Sequence, residues 1–315
     1  MRLLITGGAG FIGSNLADKA LEAGWKVAVL DDLSSGRREN VPPDAEFFQV
    51  DIQDPVSLNN AFASFKPTAV SHQAAQASVA VSVREPQKDA SINLIGSINV
   101  MQACINYKVE QLVFASTGGA IYGEVPDGTR ASISTIPLPL SPYACSKFSV
   151  EKYLACFRHE HGLNFTVLRY ANVYGPRQDP HGEAGVVAIF CNRMWANEPV
   201  SVFARKTIGD PGCVRDYVFI ADVVKANMAA LQGQIPERVL NVGTGRETNT
   251  LQLAEHIRTT LSSNSEIRYG DRRAGDVERS LLDADRLAEL LGPTVTVADG
   301  LRITAEWFGK KAAGT

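Results

Sequence analysis

Cysteine and histidine are scarce in this chain, five of each. Cys104, Cys145, Cys156, Cys191 and Cys213 contain no CxxC pair and leave one cysteine over, so neither a disulfide framework nor a zinc site is indicated; a reducing compartment fits. His72 ends an apolar run with no second histidine or carboxylate spaced for a metal, and reads as structural. An excess of positive charge is missing too. The 31 basic and 34 acidic residues leave a formal net charge of -3, which gives no basic field for nucleic acid, and an anionic small molecule would have to be held by a few placed arginines. No stretch approaches the roughly 20 apolar residues of a membrane helix. The apolar start after Arg2 breaks at once into glycines and is too short for a secretory segment, so a cytoplasmic location with no membrane partner is expected. Repeats and low-complexity tracts are absent as well.

What is present is 315 residues, 45% hydrophobic and 21% charged, enough to bury a large core in one large domain or two joined ones. The chain opens RLLITGGAGFIGSNLADKALEAGWKVAVLDD: an apolar run, a glycine turn, a helical pattern ending at Gly24, and a second apolar run ending in Asp31 and Asp32. In such a unit Gly7 makes the tight turn, Gly10 lets the backbone approach a pyrophosphate, and Gly13 lets the helix pack on the strand. Asp31 would accept hydrogen bonds from an adenosine ribose and repel a 2'-phosphate, favouring NAD over NADP; Arg37 and Arg38 are the only features pointing the other way.

The alternation continues. EFFQVDI, TAVSHQAA, QLVFAST, FTVLRYANVYG and RVLNVG read as strands, separated by helical patterns in ASINLIGSINVMQACINY, SPYACSKFSVEKYLACFRHEH and FIADVVKANMAALQ. This predicts an α/β fold, a doubly wound parallel sheet of Rossmann type, with ligand residues at the strand ends. From about Asn172 the pattern turns irregular, with turn-rich GPRQDPHGEAG and ARKTIGDPGC. A smaller α/β substrate-binding lobe is expected there. The division predicted is residues 1–171 with about 217–240 for the nucleotide domain, and about 172–216 with 241–315 for the lobe.

In SPYACSK, Tyr143 and Lys147 are four apart and share a helix face. A phenol has a pKa near 10, but a neighbouring ammonium and a positive nicotinamide ring stabilise the phenolate, making Tyr143 a candidate general base. FASTGG ends a strand and offers Ser116 and Thr117 to a substrate hydroxyl or carbonyl.

In order, GGAGFIG, LDDLSSG, HQAAQ, FASTGGAIYG, YACSK, LRYANVYGPR, VRDYV and RAGDV resemble the extended short-chain dehydrogenase/reductase family, in its NAD-dependent epimerase/dehydratase group and closest to the UDP-glucose 4-epimerase branch. The resemblance covers nearly the whole chain. It implies bound NAD, with Phe11 and Ile12 at the pyrophosphate, Asp31 at the ribose, Asp51 and Ile52 at the adenine, and Ala74 and Asn93 at the inner part. Asp32, Ser35 and Gly36 of LDDLSSG, Gln73 and Ala75 of HQAAQ, and Ser116 complete the cofactor set, with Tyr143 and Lys147. It implies Thr117, Tyr143 and Lys147 as catalytic residues. For a UDP-sugar substrate it implies Thr117, Asn172, Arg215, Arg273, Asp276 and Ser280. It further implies a homodimer packed through helices around 98–107 and 150–157. Any one arginine taken alone reads first as a surface ion pair, such as Arg215 with Asp216; Arg205 and Lys206 read as solvated surface.

The implied activity is NAD-dependent 4-epimerisation of a UDP-hexose, an isomerase reaction by transient oxidation at C4. Two departures stand out: Ala274 where proline is common, and Ser280 where some epimerases carry tyrosine, leaving room for an acetamido group. Gly118, Gly119 and Ala120 offer no acid after the Ser/Thr pair, which disfavours dehydration. UDP-glucuronate 4-epimerisation remains open, and so does a non-catalytic NAD-binding role.

Overall fold

The short apolar runs fold as strands, except that FTVLRYANVYG, read as one strand, breaks at Ala171 into two that join different sheets. The computed structural model describes residues 1–180, 185–273 and 276–312, so Ala274 and residues 181–184 of the turn-rich stretch lie outside the described residues. In chain order the strands are β1 (Arg2–Thr6), β2 (Lys26–Asp31), β3 (Glu46–Gln49), β4 (Ala69–His72), β5 (Gln111–Thr117), β6 (Phe165–Tyr170), β7 (Asn172–Tyr174), β8 (Val200–Phe203), β9 (Val214–Phe219), β10 (Val239–Val242), β11 (Glu247–Asn249), β12 (Ile267–Gly270) and β13 (Arg279–Ser280). The helices are α1 (Phe11–Glu22), α2 (Pro55–Phe65), α3 (Val79–Arg84), α4 (Pro86–Ala90), α5 (Ser97–Asn106), α6 (Gly118–Ile121), α7 (Pro142–His161), α8 (Val186–Trp195), α9 (Ile220–Leu231), α10 (Thr250–Thr260), α11 (Asp285–Leu291) and α12 (Val297–Ala312).

Chain contacts divide these into two units: Met1–Thr117, Pro139–Arg169 and Val223–Leu240 in the first, and Gly118–Leu138, Tyr170–Asp222 and Asn241–Thr315 in the second. The sequence reading put 118–138 with the nucleotide domain; these residues pack instead with the second unit, because Val125 and Ala131 hydrogen bond the backbone of Arg279 and Leu281.

The first unit is built on a seven-stranded sheet of order β10-β6-β5-β4-β1-β2-β3, the doubly wound pattern. Its central strands are buried on both faces: Leu3, Leu4 and Ile5 are 0% exposed, each contributing roughly 1.5–3 kcal/mol of apolar burial. Local signals start and stop the flanking helices. Asp54 caps α2 by accepting from Val56 N and Ser57 N with Pro55 next, and Lys66 closes it in the left-handed region (φ 51). Ser141 caps α7 by accepting from Ala144 N at 3.2 Å, Pro142 takes the first turn, and Gly162 (φ 74) ends it. Between α4 and α5 the chain runs through a π-helical turn, Ser91–Gly96, where the sequence pattern had predicted uninterrupted helix.

The second unit, expected as a small α/β lobe, has more regular structure than its turn-rich sequence predicts. β9 is flanked by β11 and β13 and also pairs with β7, and β12 pairs with β8. Helices α8, α10 and α12 pack on one another, burying Phe190, Cys191, Met194, Leu253, Ile257 and Leu301. A reciprocal cap between Asn249 and Gln252 starts α10.

Candidate active site

The opening glycines do what their spacing requires. Gly7 has φ +66, and a Cβ there would lie 2.6 Å from Ala74 N; one on Gly13 would lie 2.3 Å from Gly7 O. A Cβ on Gly10 meets only Gly7 O, at 3.2 Å. α1 therefore begins tight against the ends of β1 and β4. Gly10 is its N-cap and gives no side-chain cap to the first-turn amides, so those of Phe11 and Ile12 are donors at the positive end of a twelve-residue helix.

At the end of β2, buried Asp31 accepts from Ala9 N at 3.0 Å and Leu33 N at 2.9 Å. Burial raises its pKa above the usual carboxylate value, the two amides oppose that, and Asp32 adds to it. Gly36 backs the carboxylate so closely that a Cβ would sit 2.6 Å from Oδ1. Asp32 and Ser35 are exposed; Asp32 binds Ser34 instead. Arg37 stands 3.7 Å from Glu39, and the Arg38 guanidinium lies over Phe47 at 4.5 Å. Asp51 accepts from Gln53 N and Nε2, while Ile52 is buried against Gly96. Uncapped amides, a cradle a Cβ would fill and a strand-end carboxylate suit the pyrophosphate and ribose of a dinucleotide, so the residues present fit NAD.

Two expected cofactor residues face inward. Asn93 is buried, with Oδ1 accepting from Gln76 N and Nδ2 donating to Gln76 O and Asp89. Ser116 donates to Glu151 Oε1 at 2.6 Å, and Glu151 is held by buried Arg169. Gln73 Nε2 reaches Ser71 and Asn227, Ala74 N donates to Thr6 Oγ1, and Ala75 is half-buried. His72, read as structural, bridges Thr6 Oγ1 (2.6 Å) and Ser97 Oγ (2.9 Å).

Tyr143 and Lys147 share a face of α7, as their spacing requires. Lys147 Nζ donates to Ala115 O at 2.9 Å and lies 4.8 Å from the Phe114 ring centre, while Thr117 ends β5 and is among the groups acting on the Tyr143 phenol. Burial, with Asp89 adding, pushes Tyr143 up to about 12, while Thr117 pulls it down. Burial pushes Lys147 down to about 8, against Asp89. The arrangement offers a phenol and a buried ammonium one turn apart on one helix, with a hydroxyl residue at the end of β5. Sequence reasoning missed Asp89 and Glu151; Glu151 lies four residues after Lys147, a spacing that could have found it.

In the second unit, Asn172 donates to Asp216 O at 3.1 Å and lies beside Gly119. Arg215 is half-buried with Nη1 on Val214 O, and β-pairing sets it opposite Ser280. Asp216 is not its ion-pair partner: that buried carboxylate accepts from Thr244 and Gly245. Arg273 is exposed, its guanidinium 3.7 Å from the centre of the Phe203 ring, an aromatic the sequence reading missed. Asp276 is half-buried, its amide donating to Arg273 O at 3.4 Å. Ser280 is buried, with no partner for Oγ among the described residues. Arg205, read as solvated, is instead held by Asp127 at 2.8 Å and lines a cavity of 390 Å³ with Glu124, Arg272 and Glu278. No three or more ligating side chains cluster for a metal among the described residues, and none of the described helices is long and apolar enough to cross a membrane.

Fold and cradle define the class: a Rossmann-type dinucleotide enzyme with a Tyr-x-x-x-Lys pair. The sequence profile of the NAD dependent epimerase/dehydratase family matches residues 3–243, and the chain belongs to that family. It is 42% identical to the UDP-glucose 4-epimerase of Mycolicibacterium smegmatis, over 99% of this chain and 100% of the relative. Its fold matches the crystal structure of Thermus thermophilus UDP-glucose 4-epimerase complexed with NAD (TM-score 0.94, 51% identity, 98% of this chain and 99% of that one). It matches the Thermotoga maritima UDP-glucose 4-epimerase with UDP-glucose similarly (TM-score 0.93, 47% identity, 99% and 100%).

Proposed function

We propose that this protein is an NAD-dependent isomerase that inverts C4 of a UDP-hexose, interconverting UDP-glucose and UDP-galactose. The observation that carries the reading is Tyr143 and Lys147 one turn apart on α7, with Thr117 at the end of β5, in the unit whose strand ends also carry the glycine cradle. The amides of Phe11 and Ile12 receive the pyrophosphate and Asp31 the ribose hydroxyls, with Asp51 and Ile52 at the adenine end. Asn93 and Ser116 support the site from behind, through Gln76, Asp89 and Glu151.

Held by the glycine cradle and Asp31, NAD would supply a reversible hydride acceptor for C4 of the sugar, so nothing would be consumed. Tyr143 takes the 4-hydroxyl proton, Thr117 orients that hydroxyl, and the Lys147 ammonium favours the phenolate. The 4-keto sugar turns about its diphosphate, which Arg215, Arg273 and Asn172 hold, with Asp276 at the uridine ribose; guanidinium suits phosphate because it can pair in bidentate fashion. Tyr143 then gives its proton back. The small, unpartnered Ser280 leaves room for a 2-acetamido group, so the N-acetyl sugars are substrates as well.

The protein is a cytoplasmic homodimer in this reading. Exposed thiols at Cys145 and Cys156 suit a reducing compartment. Val150 and Leu154, on a helix assigned to the dimer, are core, which leaves Tyr153 of α7 and Ile95 of the π-helical turn, 42% and 51% exposed, for the partner. Light scattering tests the subunit number, a monomer excluding the dimer.

The deciding experiment incubates the protein, with no cofactor added, with UDP-galactose, UDP-N-acetylgalactosamine and UDP-galacturonate, and identifies products by NMR. Appearance of UDP-glucose supports the reading, and the fastest substrate fixes the sugar series. No inversion even with NAD supplied overturns it, in favour of a binding or reductase role.

A further inference from the structure

Asp89, in the short helix α4, has no exposed surface and belongs to neither the cradle nor the substrate-holding set. A carboxylate withdrawn from water is costly unless hydrogen bonds and charge compensate it. Oδ1 accepts from Gln76 Nε2 at 3.0 Å and Asn93 Nδ2 at 2.8 Å, and Oδ2 from Ser146 Oγ at 2.7 Å. These donors come from the exit of β4, the π-helical turn and α7. Ser146 stands between Tyr143 and Lys147 in the chain. All three donors are neutral, and the charged group with which Asp89 interacts through space is Lys147.

We propose that Asp89 is a positioning residue for the Tyr143–Lys147 pair: through Ser146 it fixes the first turns of α7, and it places one buried negative charge on α4, which packs against α7. The proposal rests on the reading of Tyr143 as the base. Of the other charged groups on the packed elements, Lys152, Arg158, His159, Glu160 and His161 of α7 are exposed farther along the helix, and the rest are neutral or already paired. His72 of β4 is held neutral, its pKa pushed down to about 3. Glu151 of α7 is bound by Arg169. Arg84 and Lys88 are exposed and pair with Glu85. Burial raises the Cys104 thiol of α5, which stays protonated. The π-helical turn and β5 carry no titratable side chain.

The sign follows from charge. Asp89 raises both neighbours, so Asp89→Asn lowers both: Lys147 loses its proton, and Tyr143 reaches phenolate, at lower pH. The epimerisation rate of the NAD-loaded Asp89→Asn protein, measured from about pH 5 to pH 10, should show its alkaline limb moved acidward by roughly one unit or more. Ser146→Ala keeps the charge and removes the tether. It should lower kcat with KM little changed and the limb in its wild-type place.

An Asp89→Asn profile that coincides with the wild type overturns the proposal and leaves the base assignment intact. Activity retained by Tyr143→Phe overturns the base assignment instead. Should Asp89→Asn fail to fold, carbon-13 NMR of the aspartate carboxylates in the wild type decides, with Ser146→Ala identifying the Asp89 resonance. An ionised Asp89 at neutral pH supports the proposal, and a protonated one overturns it.

Discussion

A phenol near pKa 12 beside an ammonium near 8 is poorly poised at neutral pH, because burial penalises both charged forms. A positive nicotinamide ring beside the phenol would shift Tyr143 toward phenolate, so that binding as well as position would tune the pair. Tyr143→Phe should therefore reduce turnover roughly 100- to 10,000-fold while leaving the melting temperature and NAD content near wild type. Single-turnover kinetics with UDP-galactose check this, and a loss below tenfold would sink the base assignment. His72 gives a separate residue-scale test. Its folded pKa lies near 3, chiefly from burial and then from Lys147, against 6.5 for the free side chain. The unfolded chain binds the proton first, so the stability its neutral form contributes is complete above pH 6.5 and is lost as pH falls toward 3, at about 1.4 kcal/mol per unit. Urea unfolding at pH 7 and pH 5 should show the wild type losing about 2 kcal/mol more than His72→Gln between those values. Equal losses would exclude His72 as the titrating group.

At the scale of elements, the β1–α1 turn makes the sharpest prediction, because two of its glycines, and Gly24 beyond the far end of α1, meet different surroundings. Gly13→Ala drives a Cβ to 2.3 Å from rigid backbone, Gly10→Ala to 3.2 Å, and Gly24→Ala into open space at φ +75. Gly13→Ala should cost the most stability, about 2 kcal/mol or more, and purify without NAD. Gly24→Ala should cost about 1 kcal/mol, from backbone strain alone, with NAD retained. Denaturant melts and the absorbance of released cofactor give the order, and a Gly13→Ala protein with full NAD would refute the close-packing role. This motif was legible in sequence because turn, helix and acidic strand end constrain one another within a short span. The π-helical turn was not: SINLIG has ordinary helical residues, and its register comes from Asn93 reaching Gln76 and Asp89 elsewhere in the unit. Ser116 was misread for a similar reason, since its hydroxyl is claimed by Glu151, a residue 35 positions away. Nor could the placement of 118–138 be read, because it depends on Arg279. That buried side chain donates to the carbonyls of Val125, Pro126 and Thr129 and pairs with Glu247.

At the scale of the molecule, the assigned residues divide by unit: every proposed NAD contact lies in the first, and every proposed UDP-sugar contact except Thr117 in the second. The strands of the first were legible because buried parallel strands are continuous apolar runs. Those of the second are two to six residues long and set by pairing to β8 and β9, so composition there reads as turns. The division has a thermodynamic consequence. A ligand that binds only the native state stabilises it by about 2.7 kcal/mol at a hundred times its Kd. UDP, which carries the diphosphate and uridine without the reacting sugar, should therefore raise the melting temperature of the NAD-loaded protein by a few degrees. Arg215→Ala and Arg273→Ala should each remove most of that shift, since a guanidinium facing phosphate is worth more than a surface ion pair. Arg302→Ala, which breaks only the exposed pair with Glu306, should keep all of it. Tyr143→Phe should also keep the UDP shift, because the phenol acts on C4 and UDP lacks that carbon. If UDP stabilises both arginine variants as fully as the wild type, those guanidiniums do not hold the diphosphate. The substrate assignment in the second unit then falls, while the cofactor cradle of the first stands on its own geometry.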